Sequence, residues 1–277
     1  MLLVSAYAWP AAESLDLKAL AGFAALDDPA ILTAAHRVSR AADPVPFALL
    51  SCALVLLALG RGRPLHALAV LVFLLGANVT TQMLKPALAH PRAPDGVPGV
   101  QVTDAAFPSG HATAAMTLAF AAVLVAPPAL RALTAAGGAV FALAVSFSVV
   151  VLGWHFPSDV AGGYLVAAAW CFAVLAGLRA MAGREVEPAR RFGRPERAAI
   201  AATALGVVAS LALLTALAAP RLAEAVDYAQ RHTSAVGVGA AVAACASVLL
   251  AAVTTVALGA PGAGDRPSGR RPPPPRT

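Results

Sequence analysis

Charged residues are scarce in this sequence, and lysine is almost missing from it. Only 12% of the 277 residues are charged, whereas 59% are hydrophobic. A soluble domain usually carries about 25% charged residues, so this composition excludes an ordinary soluble protein and indicates an integral membrane protein. Because Lys18 and Lys85 are the only lysines, a lysine beside a polar motif is more informative in this sequence than in an ordinary one.

Cysteine is also rare. Cys52, Cys171 and Cys245 all lie inside apolar runs, which favours buried free thiols over disulfides or metal ligands. The formal net charge of +6 would suggest a nucleic-acid partner in a soluble protein. In a membrane protein the same excess follows from topology, so no nucleic-acid partner is expected.

Apolar runs are the dominant feature, and they predict an all-α, polytopic helical bundle in the membrane. Residues 1–10 are apolar but too short to cross, and they lack the basic start of a signal peptide. We interpret them as the end of a truncated or interfacial first span, followed by an external amphipathic helix within residues 11–44. The predicted spans are residues 45–60, 65–84, 112–130, 133–152, 160–178, 198–218 and 235–258.

The order of these runs predicts five regions. An N-terminal partial span and external segment covers residues 1–44, and a six-helix-type core, its first helix short or truncated, covers residues 45–178. An Arg-rich loop at 179–197 then leads to a C-terminal two-helix hairpin at 198–258, which looks appended to the core. The Pro- and Arg-rich tail at 259–277 is expected to be disordered.

The loops alternate in charge, which predicts their orientation. Thirteen of the twenty lysines and arginines fall in one set of loops, which contains the Arg-rich loop and the C-terminal tail. The positive-inside rule makes this set cytoplasmic. The other loops, which carry the polar motifs described next, then lie on the outer face of a cell membrane.

The first motif is Lys-Pro-Ala-Leu-Ala-His-Pro-Arg, from Lys85 to Arg92, where the 65–84 span ends. Two cations on a proline-stiffened loop at the membrane surface suit an anionic head group. Ordinary snorkelling of two basic side chains is the simpler alternative for this motif taken alone.

The second motif is Phe-Pro-Ser-Gly-His, which ends at His111. Ser109 is a natural N-cap and Gly110 allows close approach, so the first-turn amides can bind an anion. His111 lies beside those amides and can act as a general acid. A simple helix cap with an interfacial histidine is the alternative interpretation.

The third motif is Gly-Trp-His-Phe-Pro-Ser-Asp, from Gly153 to Asp159. The offset of four lets Asp159 accept a hydrogen bond from one ring nitrogen of His155 and present the other nitrogen as a nucleophile. A structural alternative for Asp159 is a favourable interaction with the helix dipole. The pair Gly162-Gly163 then allows close packing of this helix on a neighbour.

In this order, the three motifs resemble the type 2 phosphatidic acid phosphatase family, which shares its site architecture with vanadium-dependent haloperoxidases. The family pattern is Lys, six residues, Arg-Pro; then Pro-Ser-Gly-His; then Ser-Arg, five residues, His, three residues, Asp. Lys85 and Arg92 keep the first spacing, and residues 108–111 match the second element in full. The third spacing is kept by Ser148, His155 and Asp159, and the resemblance covers about residues 45–178.

The resemblance implies a membrane lipid phosphatase that needs neither a metal nor another cofactor. His155 would form a phosphohistidine, Asp159 would orient it, and His111 would protonate the leaving group and then activate water. The phosphate oxygens would be held by Lys85, Arg92, Ser109 and Gly110. Expected substrates are lipid phosphates or diphosphates of the outer leaflet, such as undecaprenyl diphosphate, phosphatidylglycerophosphate or phosphatidic acid. Phosphoryl transfer to an acceptor other than water is a variant of this function.

Two positions depart from the family pattern. Ala93 replaces the proline after the first arginine, and Val149 replaces the phosphate-binding arginine after Ser148. Loss of a charge-assisted contact predicts that another cation substitutes, that activity is weak, or that the protein binds a phosphorylated lipid without cleaving it. The candidate substitutes are Arg37, Arg40 and His90.

Two other functions fit the sequence less well. A transporter would need ionisable residues deep in the spans, which are absent from the apolar runs. A haloperoxidase does not suit a site at the membrane edge, which favours lipids over halide and peroxide. The sequence makes no prediction of oligomeric state.

Overall fold

The computed structural model describes residues 9–91, 100–181 and 222–258, and this part of the chain is helical without strands. This confirms the predicted all-α fold. Short 3-10 turns lie at Arg40–Ala42 and Pro128–Leu130. The α-helices in chain order are α1 (Pro10–Ala24), α2 (Pro29–Ser39), α3 (Pro44–Gly60), α4 (Pro64–Ala87), α5 (Gly110–Val125), α6 (Arg131–Val151), α7 (Pro157–Met181), α8 (Leu222–Arg231) and α9 (Thr233–Leu258).

The helices include enough long apolar segments for a multi-pass membrane protein. Among the described residues α4, α6, α7 and α9 are long and apolar enough to span, and a fifth span arises if α2 and α3, bent by 49°, act together. The predicted partial span at 1–8, the loop from 182, the 198–218 span and the tail lie outside the described residues. Most predicted core spans are confirmed as helices.

The segment predicted as one external helix is two helices, because Asp28-Pro29 interrupts it. Pro29 stands in the first turn of α2, where its missing N–H costs nothing. The Asp28 carboxylate accepts a hydrogen bond of 2.7 Å from the amide of Ala30 and so caps the helix. The chain therefore turns between α1 and α2.

Helix α5 is the centre of the bundle. It packs against α3, α4, α6, α7 and α9, and nearly every residue from Ala112 to Val125 is buried. Small side chains make the close approach possible: a Cβ added at Gly138 of α6 would lie 2.9 Å from the Cβ of Ala119. The N-terminus of α5 is consequently held in place by several neighbouring helices.

Helix α9 packs into the same core instead of standing apart from it. It contacts α1, α5, α6 and α7, and its residues Leu250 and Val253 are fully buried. The other arm of the predicted hairpin lies outside the described residues. The second arm therefore belongs structurally to the bundle that carries the motifs.

Arginines close the bundle at the end opposite to the motifs. Arg61 donates to the carbonyl of Val125, and Arg131 donates to the carbonyls of Ala126 and Ala257. These carbonyls lie at the C-terminal ends of α5 and α9, where the helix leaves them without partners and where positive charge is favourable. Capping by these two arginines therefore fixes the end of the bundle that lies away from the motifs.

Candidate active site

The second and third motifs meet where α5 and α7 begin. The amide of Ser109 donates a hydrogen bond of 2.9 Å to the carbonyl of Asp159, which ties the two helix starts together. The hydroxyl of Ser109 accepts from the amide of Ala112 at 3.3 Å, as expected of the predicted N-cap. The first amides of α5 therefore point out of the bundle beside the start of α7.

The predicted close packing at Gly162-Gly163 is confirmed. A Cβ at Gly163 would lie only 2.7 Å from the carbonyl oxygen of Ser109 and 3.0 Å from the amide of Thr113. A Cβ at Gly162 would lie 2.6 Å from the ring of Phe107. Only glycine lets α7 approach the start of α5 this closely.

A glycine turn at the end of α6 carries His155 to the site. Gly153 has φ of +68°, a conformation that side chains disfavour. The amide of Gly153 donates to Val150 at 2.9 Å, and that of Trp154 donates to Val149 at 3.0 Å, a pair of bonds that ends helices. His155 follows directly and is nine-tenths buried.

His155 faces Asp159 across one helical turn. Its Nδ1 lies 3.5 Å from Oδ2 of Asp159, whose side chain is fully buried. The same Oδ2 accepts a 2.9 Å hydrogen bond from the amide of Phe156, which fixes the carboxylate. The separation is longer than a charge-assisted hydrogen bond, so the predicted hydrogen bond from Nδ1 is not formed in this structure. Catalytic contacts of this kind often tighten when substrate binds. Nε2 of His155 is the ring nitrogen that does not face Asp159.

A carboxylate from outside the motifs holds this turn. Asp16 of α1 is buried and accepts hydrogen bonds from the amide of Ser158 at 3.1 Å and from its hydroxyl at 2.6 Å. Asp16 thus caps the start of α7 from a distant helix. Sequence reasoning missed it because an acidic residue in an amphipathic helix gives no sign of its partner.

Lys85, in the last turn of α4, lies over the start of α5. Its Nζ is 3.9 Å from the position that a Cβ on Gly110 would take, and it interacts electrostatically with Asp159. A hydrogen bond of 3.1 Å between the hydroxyls of Thr81 and Thr113 joins α4 to α5 one turn below. The lysine is thereby placed beside both histidine motifs.

His111 has two contacts that the sequence did not predict. Its Nε2 lies 3.3 Å from Oδ1 of Asp43, and its ring centroid lies 5.9 Å from that of Trp154. Trp154 in turn contacts His36 edge-on at 5.6 Å. The only available sequence signal was that Trp154 belongs to the third motif and Asp43 precedes a proline at a helix start.

Six of the seven predicted site residues converge at this end of the bundle, and the seventh, Arg92, lies outside the described residues. The six are Lys85, Ser109, Gly110, His111, His155 and Asp159. Among the described ranges no group of three or more His, Cys, Asp and Glu side chains is arranged to hold a metal ion.

The missing arginine is not replaced within its own helix. Val149 is fully buried, and the hydroxyl of Ser148 is engaged with the carbonyl of Ala144 at 2.7 Å. Of the three predicted substitutes, Arg40 lies in the 3-10 turn that packs against α5. Arg37 and His90 are exposed, and His90 is held through its amide to the carbonyl of Asp104.

The arrangement combines an anion-binding helix start, a lysine and two histidines. An amide-lined helix N-terminus favours a phosphate, and a histidine oriented by a carboxylate is a nucleophile. A second histidine paired with another carboxylate can move a proton. The site can therefore support phosphoryl transfer.

Comparison with known proteins agrees with this geometry. The family model described as the PAP2 superfamily matches residues 66–180, a range that contains all three motifs. No curated protein and no solved structure matches the chain. The predicted resemblance is confirmed over residues 66–180, which match the PAP2 superfamily.

Proposed function

We propose that this membrane protein hydrolyses a lipid phosphate or diphosphate at the outer membrane face through a phosphohistidine on His155. The observation that carries the proposal is the convergence of His155, His111 and Lys85 at the starts of α5 and α7. PAP2 superfamily membership supports a phosphatase, and the apolar helices support a membrane location. The lipid tail would lie along the bundle while its head group reaches this end.

The chemistry follows from the two histidines. Nε2 of His155 attacks phosphorus, a P–N bond forms and the P–O bond to the lipid breaks, while His111 protonates the leaving oxygen. His111 then takes a proton from water, whose oxygen attacks phosphorus and breaks the P–N bond. Inorganic phosphate leaves and His155 is restored. Lys85 and the first amides of α5 stabilise the charge that develops on the phosphoryl oxygens.

Phosphate release in detergent tests the proposal. The panel is phosphatidic acid, phosphatidylglycerophosphate and undecaprenyl diphosphate, compared for wild type, His155→Ala and His66→Ala. His66 lies 19 positions before Lys85 in α4, about 28 Å away, so its variant is the matched control. We expect turnover by wild type and His66→Ala and a loss of at least about 1000-fold in His155→Ala.

Buried Val149 favours a second candidate, a protein that binds a phosphorylated lipid without cleaving it. Such a binder would show no more phosphate release in wild type than in His155→Ala, while still retaining lipid phosphate. The intact pairing of His155 with Asp159 argues for catalysis, because a binder needs no oriented nucleophile.

The outer location is tested separately with single cysteines in a cysteine-free background. Thr103 is exposed near the motifs, and Leu130 is exposed at the opposite end of the bundle. A membrane-impermeant maleimide should label Thr103→Cys but not Leu130→Cys in intact cells. The reverse labelling would contradict the proposed orientation.

A further inference from the structure

We propose that Asp43 is a positioning residue for proton transfer: its carboxylate binds Nε2 of His111 and leaves Nδ1 to exchange a proton with the substrate. The inference rests on the proposed function and adds a residue that lies outside all three motifs. It also lies outside the range that the family model matches, residues 66–180. The carrying observation is the 3.3 Å contact between Oδ1 of Asp43 and Nε2 of His111.

Asp43 occupies a capping position but does not cap its helix. The chain has two Asp-Pro helix starts, Asp28-Pro29 and Asp43-Pro44. Asp28 accepts from the amide of Ala30 as a cap does, whereas Asp43 makes no side-chain capping bond to α3. Its carboxylate instead reaches across 68 positions to His111. The local sequence therefore does not account for this contact.

The backbone around Asp43 holds the carboxylate in place. The amide of Asp43 donates a hydrogen bond of 3.1 Å to the carbonyl of Arg40, and the 3-10 turn that begins at Arg40 packs against α5. The ring of Trp154 contacts His111 as well. His111 is thus oriented by the start of α3 and by the loop before α7.

The site then contains two histidine–carboxylate pairs of opposite sense. Asp159 faces Nδ1 of His155, which presents Nε2 as the nucleophile. Asp43 faces Nε2 of His111, which presents Nδ1 as the proton carrier. In each histidine, the nitrogen that does not contact the carboxylate is the one left to face the substrate. The two carboxylates therefore set which nitrogen of each ring reacts.

The charges around His111 make this carboxylate important. Burial of the ring acts most strongly against a positive charge on it, His155 from the loop before α7 and Lys85 from α4 act in the same direction, and the Arg40 turn packs nearby. Asp43 is the carboxylate that hydrogen-bonds the ring, while Asp159 of α7 faces His155 and Lys85 instead. An opposite charge at this distance favours the protonated ring, which the acid step requires.

The test compares pH profiles of phosphate release for wild type, Asp43→Asn, Asp43→Glu and Asp28→Asn. Asparagine keeps the helix start and removes the charge. The Asp43 side chain is 46% exposed, so we expect the basic limb of kcat/KM in Asp43→Asn to move to lower pH by about 0.5 to 1 unit. Asp43→Glu should restore most of this shift, and Asp28→Asn should match wild type.

A second measurement does not depend on turnover. The chain has six histidines, so NMR of histidine-labelled protein in micelles can follow each ring, with His111→Ala identifying its signal. We expect the His111 titration midpoint to move to lower pH in Asp43→Asn only. An unchanged midpoint, or equal shifts in Asp43→Asn and Asp28→Asn, would overturn the proposal.

The two readouts separate failure of the inference from failure of the proposed function. A shifted midpoint with no phosphate release by wild type would contradict the lipid phosphatase and keep the pairing of Asp43 with His111. Release by wild type with an identical pH profile in Asp43→Asn would keep the phosphatase and contradict a role for Asp43 in proton transfer.

Discussion

Replacing Gly163 by alanine should destabilise the protein and lower its activity, although alanine is the better helix former. The added Cβ would lie 2.7 Å from the carbonyl oxygen of Ser109, and 2.9 and 3.0 Å from Oγ1 and the amide of Thr113. Two of these atoms are backbone and cannot rotate away, so α7 must move from α5. Overpacking of this kind costs about 1 to 3 kcal/mol, against a gain in helix propensity of about 1 kcal/mol.

The net effect is worked out from those two terms. We expect the free energy of unfolding to fall by about 1 kcal/mol or somewhat more. In a chain of this size Tm falls by about 2 to 4 °C for each kcal/mol lost. Moving α7 also disturbs the bond between the amide of Ser109 and the carbonyl of Asp159, so kcat should fall about tenfold or more.

Gly177 supplies the matched control, because it lies in the same helix and a Cβ there would meet nothing within 4 Å. Thermal unfolding in detergent and phosphate release are measured for both variants. Gly177→Ala should be at least as stable as wild type and fully active. If Gly163→Ala kept the wild-type Tm and kcat, the close approach of the two helices would not be what fixes the site.

Two further substitutions test the site from other helices. Asp16→Ala removes the carboxylate that accepts from the amide and hydroxyl of Ser158. We expect the free energy of unfolding to fall by about 2 kcal/mol and kcat to fall as well. Glu13→Gln in the same helix is the control. Lys85→Gln should raise KM about tenfold for a phosphorylated substrate, whereas Lys18→Gln, which changes the only other lysine, should leave KM unchanged.

The sequence predicted those parts of the site that depend on local order. Ser109 was predicted as an N-cap because serine precedes an apolar run, and the pairing of His155 with Asp159 follows from an offset of one helical turn. Gly162-Gly163 signalled close packing for the same reason, since small pairs in apolar helices permit it. Each of these features is set by residues within one turn of each other.

The parts that sequence could not predict depend on packing between distant helices. Asp16 contacts a motif residue 142 positions away, and Asp43 contacts one 68 positions away. The sequence around each of them does not distinguish it from an ordinary surface or capping carboxylate. The break between α1 and α2 was missed because an amphipathic stripe was continued through a proline start. Helix α9 was predicted to belong to an appended hairpin, because an apolar sequence does not indicate which helices it will contact.

The buried valine at position 149 changes which residues can supply positive charge to the site, including His111. An arginine there would carry a permanent charge, whereas Val149 contributes none and is sealed in the core. Among the described residues Lys85 lies beside the helix starts and the Arg40 turn packs against α5, whereas His111 adds positive charge only when it is protonated. Because a histidine is positive only while it holds its proton, the proposed function assigns both anion binding and acid catalysis to the same ring. In that setting, Asp43, which favours the protonated ring, supports both binding and proton transfer, and this is why its contact with His111 matters more here than in a site with the full set of arginines.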